Sequence, residues 1–291
     1  MNQVFPLLAV LIWAANTVVS KAAASVIDPA AIAFYRWLIA AAMMTPFLLR
    51  PLWRQRHVLP PHLPRVAVLS LLGMVAYQSI AYYAAHLTSA TNMGVICALI
   101  PLLGVLIDRL AFGARPGRLA MLGVALSLAG VLWLLGRGRP GTLLATGLNA
   151  GDGMMLLAAT AYALYGLLLK RWPLPFSPWQ NLYLQVLLCL LLQLPLVFAA
   201  HSMSVSAAAA GLVLFAGLGA SLVATYCGME GIARMGSDKA TIYMNVMPVF
   251  TALLAAASLG ENLHVYHLAG GIMILAGVAL VQARRPQAQT V

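Results

Sequence analysis

Charged side chains are scarce in this sequence. They make up 8% of its 291 residues, whereas a soluble domain carries about 25%. A chain with so few charges cannot cover a water-facing surface, and 63% of its residues are hydrophobic. The mean hydropathy is +0.92. This composition excludes a soluble globular domain and predicts an all-α integral membrane protein.

Motifs for nucleotide, metal or covalent chemistry are missing from the sequence as well. There is no GxxxxGK[ST] phosphate-binding loop, so ATP is not expected to drive the protein. Cys97, Cys189 and Cys227 each lie singly inside an apolar run, and this pattern is typical of small core residues. We therefore expect no cofactor, no metal site and no catalytic residues, and we expect that the protein is not an enzyme.

Acidic residues number only six, and the net charge is +11. The basic residues are bunched in short connections between apolar runs, as at Arg50, Arg54, Arg56 and Arg65, where they act as topology signals. No basic face with interleaved aromatics occurs, so a nucleic-acid partner is not expected. The expected partners are the lipid bilayer and a small-molecule substrate, and the sequence leaves open whether the protein is a monomer or a dimer.

Apolar stretches long enough to cross a bilayer, which needs about 20 residues, occur ten times. The first lacks the basic region of a signal peptide and is predicted to be retained. The predicted spans are 3–21, 30–49, 66–86, 91–110, 118–136, 152–170, 179–199, 207–229, 240–259 and 264–283.

The Lys and Arg residues predict the orientation of these spans. If the N-terminus is cytoplasmic, thirteen of the 17 lie on the cytoplasmic side and three on the other, while Arg36 falls inside the second span. Positive charges concentrate on the cytoplasmic side of membrane proteins. Both termini are therefore predicted to be cytoplasmic.

The chain repeats itself at an offset of about 147 residues. "LGVALSLAGVLWLL" (122–135) corresponds to "AGGIMILAGVALVQ" (269–282), and "LIWAANTVVSK" (11–21) corresponds to "TAYALYGLLLK" (160–170). This predicts two five-helix repeats in one membrane domain, residues 1–140 and 141–291. Because five is odd, the second repeat enters the membrane from the opposite side, and such inverted repeats are typical of secondary transporters.

A proline occurs in the fourth span of each repeat, Pro101 in the first and Pro248 in the second. Proline inside a helix removes a backbone N–H and bends the chain. Two interpretations stay open: a static kink, or a hinge at which each fourth helix flexes during gating. Because the proline is repeated, we predict that Pro101 and Pro248 are hinges.

These motifs together resemble the EamA family of the drug/metabolite transporter superfamily. The resemblance rests on "MPVFTALLAAASLGE" (247–261), "LAGGIMILAGVAL" (268–280) and their first-half copies, "IPLLGVLIDRLAFGA" (100–114) and 122–135. It implies ten helices, inverted repeats and export of small metabolites, including amino acids in some members. One departure is that the family's Gly-Glu is present as Gly260-Glu261 but is replaced by Gly113-Ala114 in the first half.

Polar and aromatic residues recur at helical spacing on several spans. Unpaired polar groups are costly against lipid, so these faces are expected to point inward and line a substrate cavity at the midplane. Interfacial anchoring and helix–helix contacts are the alternatives. The candidate cavity residues are Trp13, Asn16, Gln78, Tyr82, His86, Tyr162, Tyr165, Gln185, Tyr226, Met244 and Asn245.

Three ionisable residues leave alternatives open. Arg36 could extend to the membrane surface or face the cavity. Glu230 could couple transport to protons or form an ion pair with Arg234 one turn on. His86 could carry a proton or bond at the rim. All six acids lie at or near span ends, so we expect either export down a gradient or coupling through His86 or Glu230.

We predict a transporter of the bacterial-type inner (plasma) membrane. It would export small amphipathic metabolites, most specifically amino acids with hydrophobic or aromatic side chains, by alternating access. Efflux of lipophilic drugs and cations, or of sugar-linked metabolites, is the alternative. A non-transporting membrane scaffold is the alternative from another class.

Overall fold

The structure is a computed structural model that describes residues 3–114, 117–139, 141, 149–236, 240 and 243–282. Within these ranges every regular element is helical. The helices are α1 (Val4–Ala23), α2 (Pro29–Arg54), α3 (Pro60–Ala84), α4 (Ala90–Cys97), α5 (Ile100–Phe112), α6 (Arg118–Leu135), α7 (Ala150–Arg171), α8 (Pro178–Ala199), α9 (Ala207–Met235), α10 (Met247–Leu259) and α11 (Val265–Gln282).

Eight of these helices are long and apolar enough to cross a membrane. Helices α4 and α5 are bent by 43° at a short break and together could form a ninth span, while α10 is a shorter apolar helix of 13 residues. The prediction of an all-α, multi-pass membrane protein is confirmed. Part of the predicted span 240–259 and the predicted repeat boundary at residue 140 lie outside the described residues.

Helix starts are encoded locally by capping side chains. An Asp, Asn or Ser side chain accepts a hydrogen bond from a free backbone N–H in the first turn of five helices. The caps are Asp28 before α2, Ser89 before α4, Asn149 before α7, Ser177 before α8 and Ser206 before α9. Each cap lies between two apolar runs, so short polar segments determine where the helices begin.

The repeated prolines stand at helix starts. Pro101 and Pro248 are each the second residue of a 13-residue helix, α5 and α10. At that position the missing N–H has no intrahelical partner to lose, and the fixed φ suits a helix start. Both helices end at a left-handed glycine, Gly113 with φ 69° and Gly260 with φ 66°. In the fourth predicted span of each half, the helix is thus interrupted just before the proline.

A π-helical segment lies within α3 at Leu71–Ala76, and another lies within α9 at Phe215–Val223. Shifted by 147 residues, the first falls inside the second. The wider π turn leaves backbone groups for side chains to bond. In α9 the Trp13 indole donates to the Ala220 carbonyl, with an N–O distance of 3.2 Å. The two halves therefore share an irregular feature as well as helix lengths.

Packing between the helices is reciprocal. Helix α1 packs on α9 and α10, and its counterpart α7 packs on α3 and α5. The first and last residues of α6 and α11 correspond at the 147-residue offset. These two helices pack along each other in antiparallel directions. Gly123 faces Gly277, and Gly130 faces Gly270, so the two backbones touch. Small residues permit this approach between membrane helices.

Candidate substrate pathway

A polar chamber of about 880 Å³ opens at the end of the bundle where α1 ends and α4 and α7 begin. Its wall is formed by helix ends and by the connection between α10 and α11. The polar side chains lining it include Lys21, His86, Asn92, Asp152, Glu261 and His267. We call this cavity the polar chamber; it brings ionisable groups from both halves of the chain together.

Glu261 crosses between the halves to bind the first turn of α4. Its carboxylate accepts hydrogen bonds from the backbone N–H groups of Ala90 (2.7 Å) and Thr91 (3.0 Å) and from the Thr91 hydroxyl (2.7 Å). A carboxylate is favourable there because it meets free N–H groups and the positive end of the helix dipole. The left-handed Gly260 ends α10 and turns the chain so that Glu261 reaches α4.

Asp152 approaches the same turn from α7. Its side chain is 5% exposed and accepts hydrogen bonds from the Thr88 hydroxyl and from the Asn92 amide at 3.2 Å. The approach requires Gly151, because a Cβ there would lie 2.7 Å from the Leu87 carbonyl carbon. Two carboxylates from the second half thus converge on one turn of the first half.

Arg36 lies deeper and is buried, with 4% of its surface exposed. Its Nε and Nη2 donate to the Ser221 hydroxyl at 3.1 and 2.9 Å, and its Nη1 donates to the Tyr82 hydroxyl at 3.1 Å. Ser221 in turn donates to the Ala216 carbonyl in the π segment of α9. The alternative left open by the sequence is resolved: Arg36 faces the interior.

Three tyrosine rings form a contiguous group between α3, which also carries Tyr82, and α7. The ring centroids are 4.5 Å apart for Tyr77–Tyr162 and 5.3 Å apart for Tyr162–Tyr165. Tyr165 packs on Gly73 in the π segment of α3, where a Cβ would lie 2.7 Å from the ring. Gln185 neighbours Tyr165, and its Oε1 is buried without a hydrogen-bond partner. We call Tyr77, Tyr162 and Tyr165 the tyrosine cluster.

Several predicted cavity residues lie in this interior. Tyr82 bonds Arg36, Tyr162 and Tyr165 belong to the tyrosine cluster, and Gln185 adjoins it. Asn16 and Gln78 are also buried, with 9% and 7% of their surfaces exposed, and the Asn16 Oδ1 lacks a hydrogen-bond partner. Aromatic rings and amides therefore lie together among the helices of this region.

Other predicted cavity residues lie elsewhere. His86 is exposed in the polar chamber, and Tyr226 is 46% exposed with its ring stacked on Trp179. Trp13 and Met244 pack in an apolar group between α1 and α10. Asn245 donates to the Gln282 side chain at the end of α11, with an N–O distance of 3.0 Å.

The described acids all have polar partners. Glu230 accepts from Arg234 at 2.8 Å, so the predicted ion pair is present. Asp108 pairs with Arg171, and Asp28 caps α2. Asp152 and Glu261 bind the first turn of α4, while Asp238 lies outside the described residues.

Sequence reasoning missed several residues that the structure places in this region. Tyr77 lies next to Gln78 in sequence but on another helical face, so the spacing gave no sign of it. Ser221 is a small residue in an apolar run and becomes notable only through Arg36. Asp152 was noted only as a residue near a span end. For Glu261 the Gly-Glu motif was the available signal.

Eight candidate spans around a polar interior define a multi-pass membrane protein, and the comparisons with known proteins give its class. The EamA-like transporter family matches residues 3–136 and 149–283. The chain therefore belongs to this family of transporters, as the motifs indicated, and it contains two copies of the family's unit.

Relatives of this chain include transporters from bacteria and archaea. The uncharacterized transporter YyaM of Bacillus subtilis is 24% identical over 86% of this chain and 83% of its own. An uncharacterized transporter of Archaeoglobus fulgidus is 24% identical over 96% of both chains. The uncharacterized inner membrane transporter YedA of Escherichia coli is 25% identical over 95% of this chain and 91% of its own.

A solved crystal structure supports the fold independently. It shares 20% sequence identity with this chain, covers 96% of this chain and 95% of its own, and superposes with a TM-score of 0.62. At this identity the likeness shows a common fold.

Proposed function

We propose that this transporter exports small amphipathic metabolites, in particular amino acids with hydrophobic or aromatic side chains, across a bacterial-type inner membrane. The observation that carries the proposal is the tyrosine cluster, which adjoins Gln185, a buried amide whose Oε1 has no partner among the described residues. Aromatic rings hold apolar or aromatic groups by stacking. The Oε1 of Gln185 and the Oδ1 of Asn16 are acceptors suited to an ammonium group.

The proposed architecture is ten spans in two inverted five-helix repeats, residues 1–140 and 141–291. The antiparallel contact between the corresponding helices α6 and α11 supports inversion, because equivalent helices of inverted repeats run in opposite directions. The matched breaks before Pro101 and Pro248 support flexing at equivalent places in both halves. Alternating access would follow from exchanging the conformations of the two repeats.

The proposed orientation places both termini in the cytoplasm and can be tested by labelling. Ser25 and His57 are exposed in the connections on opposite ends of α2, while the three native cysteines are buried. We expect an impermeant maleimide added to intact cells to label a Ser25→Cys variant and not a His57→Cys variant. Permeabilised cells serve as the control, because both sites should then react. The reverse pattern would overturn the orientation.

Efflux of lipophilic cations is disfavoured by the charges of the interior. Such a substrate needs a buried carboxylate that is free to pair with it, yet the described acids are engaged with other groups. The deepest charge is the cation Arg36, which would repel a second cation. The pathway therefore suits neutral, zwitterionic or anionic substrates.

The energy source is proposed to be the substrate's own gradient, with coupling through His86 or Glu230 as the alternative. Glu230 is held by Arg234, which leaves exposed His86 as the freer group. Export that continues at the same rate after an uncoupler collapses the proton gradient would remove coupling. Export that stops, and that is lost in both His86→Ala and Glu230→Gln, would establish it.

Counterflow in proteoliposomes tests the substrate directly. We expect saturable exchange of labelled phenylalanine, competed by apolar and aromatic amino acids and not by acidic or basic ones. A Tyr162→Ala variant should weaken apparent affinity about tenfold, because a stacking ring is worth about 0.5–1.5 kcal/mol beyond its buried area. Tyr83→Ala is the matched control, since Tyr83 is 37% exposed. No exchange of any amino acid by folded protein would refute the proposal.

A further inference from the structure

We propose that Arg36 binds the carboxylate of the transported substrate and thereby selects substrates that carry one. The inference rests on the proposed function and gives it a recognition residue. The sequence alone left two positions open for Arg36, the membrane surface and the cavity.

Arg36 carries a charge that no neighbouring acid balances in the described parts of the chain. A guanidinium buried among transmembrane helices is costly and is usually paired with an acid. Across the described parts of the chain, no carboxylate lies within 4 Å of this guanidinium. Its hydrogen-bond partners are the neutral hydroxyls of Ser221 and Tyr82. The site therefore holds a positive charge for which an incoming anion would be the counter-ion.

Arg36 also has more hydrogen-bond donors than its neutral partners use. A guanidinium carries five N–H groups, and the Nε bond, one Nη2 bond and one Nη1 bond account for three. One N–H on each terminal nitrogen has no hydrogen-bond partner among the residues that the structure describes. Two donors on adjacent nitrogens match the two oxygens of a carboxylate, and such paired contacts are strong and directional.

Arg36 lies at a contact between the two halves of the chain. Arg36 on α2 meets Ser221 on α9, so the guanidinium lies where the two halves touch. The approach of these helices depends on Gly217, where a Cβ would lie 2.9 Å from the Ile39 Cβ. Tyr82, which accepts the Arg36 hydrogen bond, lies on α3, the helix that also carries Tyr77 of the tyrosine cluster. A bound substrate could present its carboxylate to Arg36 and its ring to the tyrosines.

A carboxylate fits this site better than a phosphate. Arg36 supplies a single positive charge, which a carboxylate neutralises, whereas a phosphate dianion would leave excess negative charge in the membrane interior. The buried Oε1 of Gln185, which adjoins the tyrosine cluster and has no partner among the described residues, is suited to the ammonium group of an amino acid and would repel further anionic oxygens. Phenyl phosphate is therefore a useful competitor, because it tests the other source of an oxyanion.

The experiment compares phenylalanine with phenethylamine, which lacks only the carboxylate, in proteoliposome counterflow. We expect wild-type protein to exchange phenylalanine at least tenfold faster than phenethylamine. In Arg36→Gln the preference should fall close to one, and Arg36→Lys should retain part of it. Arg56→Gln, which removes an exposed arginine outside the interior, should retain the preference. Phenyl phosphate should compete more weakly than phenylalanine.

Several outcomes would overturn the inference while leaving amino-acid export intact. One is that wild-type protein exchanges phenylalanine and phenethylamine at equal rates. Another is that Arg36→Gln exchanges both compounds more slowly but keeps the wild-type ratio of the two rates, which is the result expected if Arg36 is purely structural. Stronger competition by phenyl phosphate than by phenylalanine would replace the carboxylate with a phosphate. If wild-type protein exchanges neither compound nor any other amino acid, the proposed function fails and the inference fails with it.

If Arg36→Gln does not fold, the ratio of phenylalanine to phenethylamine exchange is measured in Arg36→Lys instead. An undiminished preference for phenylalanine in Arg36→Lys overturns the inference, and a reduced preference supports it.

Discussion

Alanine in place of Gly277 should prevent α6 and α11 from packing as they do in the structure. A Cβ at this position would collide with the Ser127 hydroxyl oxygen and with the backbone carbonyl of Gly123. Ser127 cannot simply turn away without loss, because its hydroxyl donates to the Ile274 carbonyl at 3.0 Å. The carbonyl of Gly123 cannot move away either, because it is part of the backbone of α6.

We expect Gly277→Ala to lower the free energy of unfolding by about 3 kcal/mol, at the upper end of the range for overpacked sites, because the obstructing atoms include backbone. Thermal melting of the purified protein in detergent measures the effect. Gly271→Ala is the matched control: it lies on the same helix, and a Cβ there meets nothing within 4 Å. The control should melt as the wild type does. Equal melting of both variants would contradict the close contact between the two helices.

Replacing Glu261 with alanine is expected to have the second-largest effect on stability. The substitution removes three hydrogen bonds that a carboxylate makes to Ala90 and Thr91. Hydrogen bonds to charged groups contribute about 1.5–3 kcal/mol each, but water can enter the polar chamber and replace part of them. The net loss is therefore expected to be about 2–3 kcal/mol. Glu261→Gln, which keeps one acceptor oxygen, should lose less.

Glu230→Ala provides the comparison for Glu261. It also removes a glutamate with a short polar contact, but its partner Arg234 is exposed and lies on the same helix. Exposed pairs of this kind contribute about 0.3–0.5 kcal/mol. A melting temperature lowered strongly in Glu261→Ala and barely in Glu230→Ala would identify the link between α10 and α4. Equal, small shifts in both variants would show that Glu261 does not stabilise the first turn of α4.

The membrane class and the internal repeat could be predicted from the sequence because both depend on local composition. Twenty apolar residues in a row require a membrane whatever surrounds them. The 147-residue offset likewise maps α5 onto α10, and α6 onto α11, with identical lengths. The structural role of the prolines was harder to predict. Within an apolar run, the sequence looks the same whether the proline lies inside a helix or at the start of one.

The partners of the polar side chains depended on the tertiary structure. Helical spacing indicates which residues share a face but not what that face meets. Tyr82 is buried and bonds Arg36, whereas Tyr226 is 46% exposed and stacks on Trp179. The π segments also change the direction in which later side chains point.

Composition and pattern by themselves determined that this chain is a membrane transporter built from two copies of one helical unit. Tertiary structure alone decided that Arg36 turns inward. It also decided that Glu261 and Asp152 converge on α4. The physical reason is distance along the chain: Arg36 and Ser221 are 185 residues apart, and Glu261 and Ala90 are 171 apart. Contacts between such residues exist only once the two halves have packed together.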